Sequence, residues 1–157
     1  MNATILSTRE LLAAPGLYVS LALLLMMIGG SLFEHLVIDP AWPENLSVIQ
    51  PEQGGVNRKI FWIPIHIATT VALLVALWAN WHATGVRNWV IAGIACYVVM
   101  RAWSAVYFIP LALEFEAAAD MTSALRETAE RWVTLSVVRS LLVVGAAGAF
   151  TVAALRT

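Results

Sequence analysis

The sequence predicts an all-α membrane protein: a four-transmembrane-helix up-down bundle with a long first loop. Three observations carry this expectation. Hydrophobic residues make up 61% of the 157 residues and charged residues only 12%, against about 25% charge in ordinary soluble domains; mean hydropathy is +0.80. Four apolar stretches, Leu17–Ile38, Ile60–Trp81, Trp89–Leu113 and Val133–Leu155, each reach the ~20 residues that cross a bilayer. The connections are short relative to the spans, so successive spans reverse direction. Residues 1–157 therefore read as one integral, multi-pass membrane domain. A formal net charge of −1 offers no basic surface for nucleic acid. The expected surroundings are membrane lipid, and the apolar belt would equally accept a second copy of the chain, leaving a homo-oligomer open.

The first span follows a lead-in over Met1–Ala14, which Pro15-Gly16 separates from it. Its apolar run, Leu17–Leu32, exceeds the ~7–15-residue core of a cleaved signal peptide, so a retained helix is expected. Beyond Asp39-Pro40, prolines, glycines and polar residues from Ala41 to Asn57 read as a long extended loop, of the kind that serves as a lid or a plain connector. Arg58-Lys59 close it as interfacial anchors. Pro64 falls in the first turns of the second span, where proline costs least. Trp78, Trp81 and Trp89 surround the connection His82–Asn88 and match an aromatic belt at the water boundary. Pro110 is placed to kink the end of the third span. Glu114–Arg131 reads as helix outside the hydrocarbon, continuing the third span or leading into the fourth. Gly145-Ala146-Ala147-Gly148-Ala149 is a small-residue tract suited to close helix packing. The lone Cys96 is expected in the core. Basic residues divide as Arg9, Arg87 and Arg156 against Arg58, Lys59, Arg126 and Arg131, too even a split to fix orientation.

Ionisable residues inside such spans are costly and normally face a partner, a cavity or a substrate. At 1.5 Å rise per residue, Glu34 and His35 lie ~5 Å inside the loop end of the bundle, His66 ~9 Å, Tyr107 ~10 Å, Arg139 ~15 Å and Arg101 ~20 Å. All four spans thus contribute polar groups to the same half, whereas the half near the termini is Leu, Val, Ala and Trp. Steps of three and four place Arg101, Ser104, Tyr107 or Phe108, Leu111 and Glu114 on one face of the third span. Arg131 or Trp132, Leu135 or Ser136, and Arg139 share a face of the fourth, and His66, Thr69 or Thr70, and Leu73 a partly polar face of the second. A functional cavity at the loop end is the expectation. A purely structural Glu–Arg network that fixes helix register is the alternative.

Within that cavity, His66 or His35 would act as acid or base near neutral pH, with Glu34 or Glu114 as further proton carriers. Arg139 or Arg101, charged in any environment, would stabilise an oxyanion. Trp42, Trp62, Trp103, Tyr107 and Trp132 would line a pocket for a flat hydrophobic substrate. Glu34, His35, His66 and Glu114 also form a mixed nitrogen and oxygen donor set, and two histidines could flank a haem. The sequence holds no H-E-x-x-H, C-x-x-C or Glu-x-x-His spacing, however, and the adjacent Glu34 and His35 point about 100° apart on a helix. No cofactor is therefore expected, with metal or haem binding the lesser reading. Transport would need a polar path through both halves, and the half near the termini offers almost none.

Leu32-Phe33-Glu34-His35, Phe61-Trp62-x-Pro64-x-His66 and Arg131-Trp132-x-x-Leu135-Ser136-x-x-Arg139 resemble segments of the anthrone-oxygenase-like family of small four-helix integral membrane proteins. The likeness covers nearly the whole chain in layout. In the family's fourth helix a tryptophan and an arginine stand around an asparagine; Trp132 and Arg139 match the ends, whereas Ser136 replaces the amide. The resemblance implies oxidation of a polycyclic phenolic substrate by O₂ without a cofactor. The same residues would serve an isomerase or cyclase acting on a lipid-soluble substrate, polycyclic aromatic or isoprenoid. The alternative from another class is a non-catalytic subunit that binds haem or metal, or a helix-packing partner.

Overall fold

Apolar runs of this length leave the backbone one economical solution, and the chain takes it. The computed structural model describes residues 7–157, all of whose regular structure is helical. Helix α1 spans Thr8–Phe33, α2 Lys59–Ala79, α3 Thr84–Trp103, α4 Ile109–Ala117 and α5 Ser123–Ala154. A π-helical turn, Glu34–Ile38, extends α1. A second, Ser104–Phe108, joins α3 to α4 without a break. The result is four long helices, Thr8–Ile38, Lys59–Ala79, Thr84–Ala117 and Ser123–Ala154, each long and apolar enough to cross a membrane.

Several boundaries differ from the sequence expectations, each for a local reason. Residues 1–6 of the expected lead-in lie outside the described residues, but from Thr8 the lead-in is helix continuous with the first span. Ser7 and Glu10 form a reciprocal capping box that starts α1 early. Pro15-Gly16 does not interrupt it. Pro15 is exposed, and Gly16 is buried where a Cβ would come within 3.2 Å of the Ala76 Cα, so this pair sets how closely α1 and α2 approach. The third helix likewise begins at Thr84 rather than Trp89, immediately after a tight turn at Asn80–Ala83. Asn80 is buried and donates from its side chain to the carbonyls of Ala13 and Ala76, at 3.0 and 2.9 Å.

The segment expected as an extended loop is instead a folded cap. Two short 3-10 turns, Leu46–Ile49 and Pro51–Gln53, shape it. Gly54 reverses the chain at φ +83°, the left-handed region that glycine enters freely. Gly55 follows where any Cβ would collide with the Ser47 carbonyl oxygen. Trp42, Leu46, Ile49 and Gln50 are all buried. Gln50 donates to the carbonyls of Phe115, Glu116 and Ala118, at 3.4, 3.3 and 2.7 Å. It thereby satisfies the orphan acceptors at the C-terminus of α4.

Two hydrophobic cores result. The first joins α1, α2, α3 and the second half of α5, with Leu17, Leu24, Met27, Leu73, Val90 and Phe150 among its members. The second lies beneath the cap and gathers Ile38, Trp42, Leu46, Ile49, Phe108, Phe115, Ala129 and Trp132. Trp42 is its centre, with ring centroids 4.9 Å from Phe115 and 5.8 Å from Trp132. Helix α5 packs broadly on α3, and α1 on α2 and α5, whereas α2 and α3 meet over a small area. At the opposite end of the bundle Arg9 lies over Trp78, Arg87 over Trp81 and Arg156 over Trp89.

Candidate functional site

The sparse contact between α2 and α3 opens a cavity of about 580 Å³ at the seam of the two cores. Its walls divide by chemistry. Ile63, Ile67 and Val71 from α2, with Ile109 and Leu113 from α4, line the mouth, and all five are exposed on the outer surface of the bundle. Glu34, Arg58, Lys59, His66, Arg101, Ser104, Glu116, Arg139 and Ser140 line it with polar groups.

Local backbone geometry sets those polar groups. Each π turn begins at or next to a lining residue: Glu34 opens one and Ser104 the other. Such a turn adds a residue to one helical repeat and re-aims the side chains around it, a feature frequent at functional sites. The indole N–H of Trp62 donates to the Glu34 carboxylate at 2.7 Å, and the same indole stacks on His66 with centroids 5.6 Å apart. His66 Nδ1 lies 3.3 Å from the Tyr97 hydroxyl, which donates to the His66 carbonyl at 3.0 Å. Arg139 donates to the Ser104 hydroxyl at 3.2 Å, and its guanidinium carbon lies 4.3 Å from the Phe108 ring centroid. At the cap end Glu116 accepts from Lys59 at 2.6 Å and lies 3.9 Å from Arg58, whose guanidinium carbon is 5.5 Å from the Trp132 ring centroid.

Of the residues singled out in the sequence, Glu34, His66, Arg101 and Arg139, with Trp62 and Trp132, line this one cavity. His35 does not. It stands one hydroxyl behind the wall, with Nε2 3.1 Å from Ser140 Oγ and Nδ1 2.7 Å from Asp39. Asp39 in turn accepts from the Trp42 indole at 3.1 Å. Trp42 is therefore buried under the cap, and Trp103 and Tyr107 pack edge-on against Phe108 in the second core; none of the three touches the cavity.

Glu114 is exposed and lies outside the site. Steps of three, three, four and three lag behind the helical repeat and leave it about 140° from Arg101 on an ideal helix. The extra residue of the π turn brings Glu116 to within about 40° of Arg101 instead. Spacing does not mark Glu116 or Ser140 as site residues and gives Ser104 a face but no role, and the sequence reads Arg58-Lys59 as anchors. The one sequence signal for the last pair is their place directly before the Trp62-x-x-x-His66 face. Among the described residues no group of three or more His, Cys, Asp or Glu is arranged to hold a metal ion. Compared with known proteins, the chain matches no family model, no curated protein and no solved structure.

Proposed function

We propose that this chain is an integral membrane enzyme acting by acid–base chemistry on a small hydrophobic substrate that enters from the lipid. The four long helices then cross the bilayer up and down. The tight turn at Asn80–Ala83 supports this, as do the Arg9–His82 hydrogen bond and the Arg156–Trp89 contact, which bring the start of α1 to that turn and the end of α5 to the first turns of α3. The observation that carries the reading is the two-sided cavity: apolar walls that open onto the outer surface, with His66, Arg101 and Arg139 on the same cavity. An ordinary helix-packing protein has no use for three ionisable groups around a space of about 580 Å³.

His66 is the base. Its Nδ1 faces Tyr97, and its other ring nitrogen takes a proton from an acidic C–H or phenolic O–H of the substrate. Arg101 and Arg139 stabilise the resulting oxyanion, and Glu34, held by Trp62, carries protons in or out. Returning the proton at another carbon makes the reaction an isomerisation. Handing the electrons of the anion to O₂ makes it an oxygenation, the form implied by the resemblance to the anthrone-oxygenase-like family. No cofactor takes part in either.

The test uses anthrone as a C–H acid probe in D₂O, with the protein in lipid nanodiscs. Deuterium wash-in at the methylene carbon, followed by mass spectrometry, reports proton abstraction irrespective of the later chemistry. We expect protein-dependent wash-in that falls about 100-fold or more in His66→Gln. Wash-in that is absent, or equal in the folded variant, overturns the proposal.

A further inference from the structure

The positive charge in the cavity is not matched. Four cations, Arg58, Lys59, Arg101 and Arg139, line it beside two carboxylates, Glu34 and Glu116. Glu116 is paired with Lys59 at 2.6 Å and Glu34 accepts from the uncharged Trp62 indole at 2.7 Å, so the lining holds two more cations than carboxylates. Among the described residues no ion pair includes Arg101 or Arg139. The partners that Arg139 does have, a hydroxyl and an aromatic face, carry no charge. A guanidinium stays protonated even where burial is costly, and two of them beside apolar walls leave a deficit of negative charge.

We propose that the natural ligand of this cavity is an anionic amphiphile. Its carboxylate or phosphate head sits against Arg101 and Arg139, and its apolar tail leaves between α2 and α4 past Ile63, Ile67 and Leu113. This deepens the enzyme reading above and rests on the same cavity. The guanidinium fork suits both head groups, because each presents two oxygens to paired N–H donors. The apolar mouth suits the tail, since the residues that line it are also exposed on the outer surface. A neutral lipid would satisfy the mouth and leave both arginines unpaired. A small polar anion would satisfy the arginines and leave the mouth empty.

The experiment is native mass spectrometry of the full chain released from a non-ionic detergent, with dodecanoate, dodecyl phosphate and dodecanol as probes. We expect one-to-one adducts with one or both anions, retained at least about tenfold more than dodecanol, the ratio expected for one charge-assisted contact. Arg101→Gln and Arg139→Gln should each remove that preference. Arg101→Lys keeps the charge and should retain part of it, which separates loss of charge from loss of fold. Which anion is retained identifies the head group. Equal retention of dodecanol and the anions, or a preference unchanged in both glutamine variants, overturns the inference while the cavity and its acid–base reading stand. Absence of any adduct in protein that is folded by circular dichroism overturns both.

Discussion

Gly93 gives the sharpest test of how α3 and α5 are packed behind the cavity. A Cβ built there would lie 2.7 and 2.8 Å from the Phe150 ring carbons and 3.2 Å from the Ala146 carbonyl oxygen. Phe150 is 0% exposed, so its ring has no free space to turn into, and the carbonyl belongs to a helix that cannot give locally. Overpacking of this kind costs ~1–3 kcal/mol. Alanine is a better helix former than glycine by ~0.8–1.0 kcal/mol, so the net cost of Gly93→Ala is between about zero and 2 kcal/mol. Gly148 supplies the control. It lies within α5, is exposed, and a Cβ there would meet nothing within 4 Å. Gly148→Ala should therefore gain up to ~1 kcal/mol. The propensity contribution cancels between the two variants, and the remaining gap of ~1–3 kcal/mol is the overpacking alone. The assay is denaturant unfolding in one detergent, followed by far-ultraviolet circular dichroism. Phe150→Leu added to Gly93→Ala should recover part of the loss, because neighbouring sites are not additive. A gap below ~0.5 kcal/mol, the range of inert surface substitutions, would refute the close approach of the two helices at this level.

Three further outcomes follow from contacts already described. Gln50→Leu leaves the carbonyls of Phe115, Glu116 and Ala118 without their shared donor; a cost of ~1–3 kcal/mol should loosen the cap. Amide exchange should then rise over residues 42–56 and 115–118, with α1 and α2 unchanged. Trp62→Phe keeps a ring against His66 but removes the indole donor to Glu34, and should destabilise by ~1–3 kcal/mol. Adding Glu34→Leu should recover much of that loss, and a double variant no better than the single would remove the hydrogen bond from the account. Lys59→Gln breaks the ion pair to Glu116, but the lysine side chain is 50% exposed; the change should stay within ~0.2–1 kcal/mol, as denaturant unfolding will show.

The four long helices were legible because hydropathy contrast marks them directly. Their ends were not. Thr8–Ala14 and Thr84–Asn88 are helical, but their helical state comes from a capping box and a tight turn rather than from apolar periodicity. The depth of the charged residues is readable from the rise per residue, and depth alone groups Glu34, His66, Arg101 and Arg139. Azimuth was harder, since errors in angle accumulate along a helix and a π turn resets the count. That is why Glu114 stood where Glu116 belongs. His35 shows a third limit. Asp39, four residues on, draws its ring away from the cavity, and a choice between a distant site and a near partner is not written in spacing. The cap reads from sequence as an extended loop because its order rests on Trp42 and Gln50, two isolated residues with no period.

The division of the interior into two cores bears on how this protein comes apart. Trp42, Trp103 and Trp132 belong to the core under the cap, whereas the core of the bundle is aliphatic apart from Tyr97, Phe150 and the adjoining Trp62. Trp62, Trp78, Trp81 and Trp89 lie outside the cap core, so bulk emission reports on both halves and only a probe resolved along the chain separates them. Two interiors that share only a seam can lose order at different temperatures, and all-or-none unfolding then no longer holds. Amide exchange followed against temperature over residues 42–56 belongs to the cap, and over α1 and α2 to the bundle, so the interval between the two transitions measures how tightly the cap is seated.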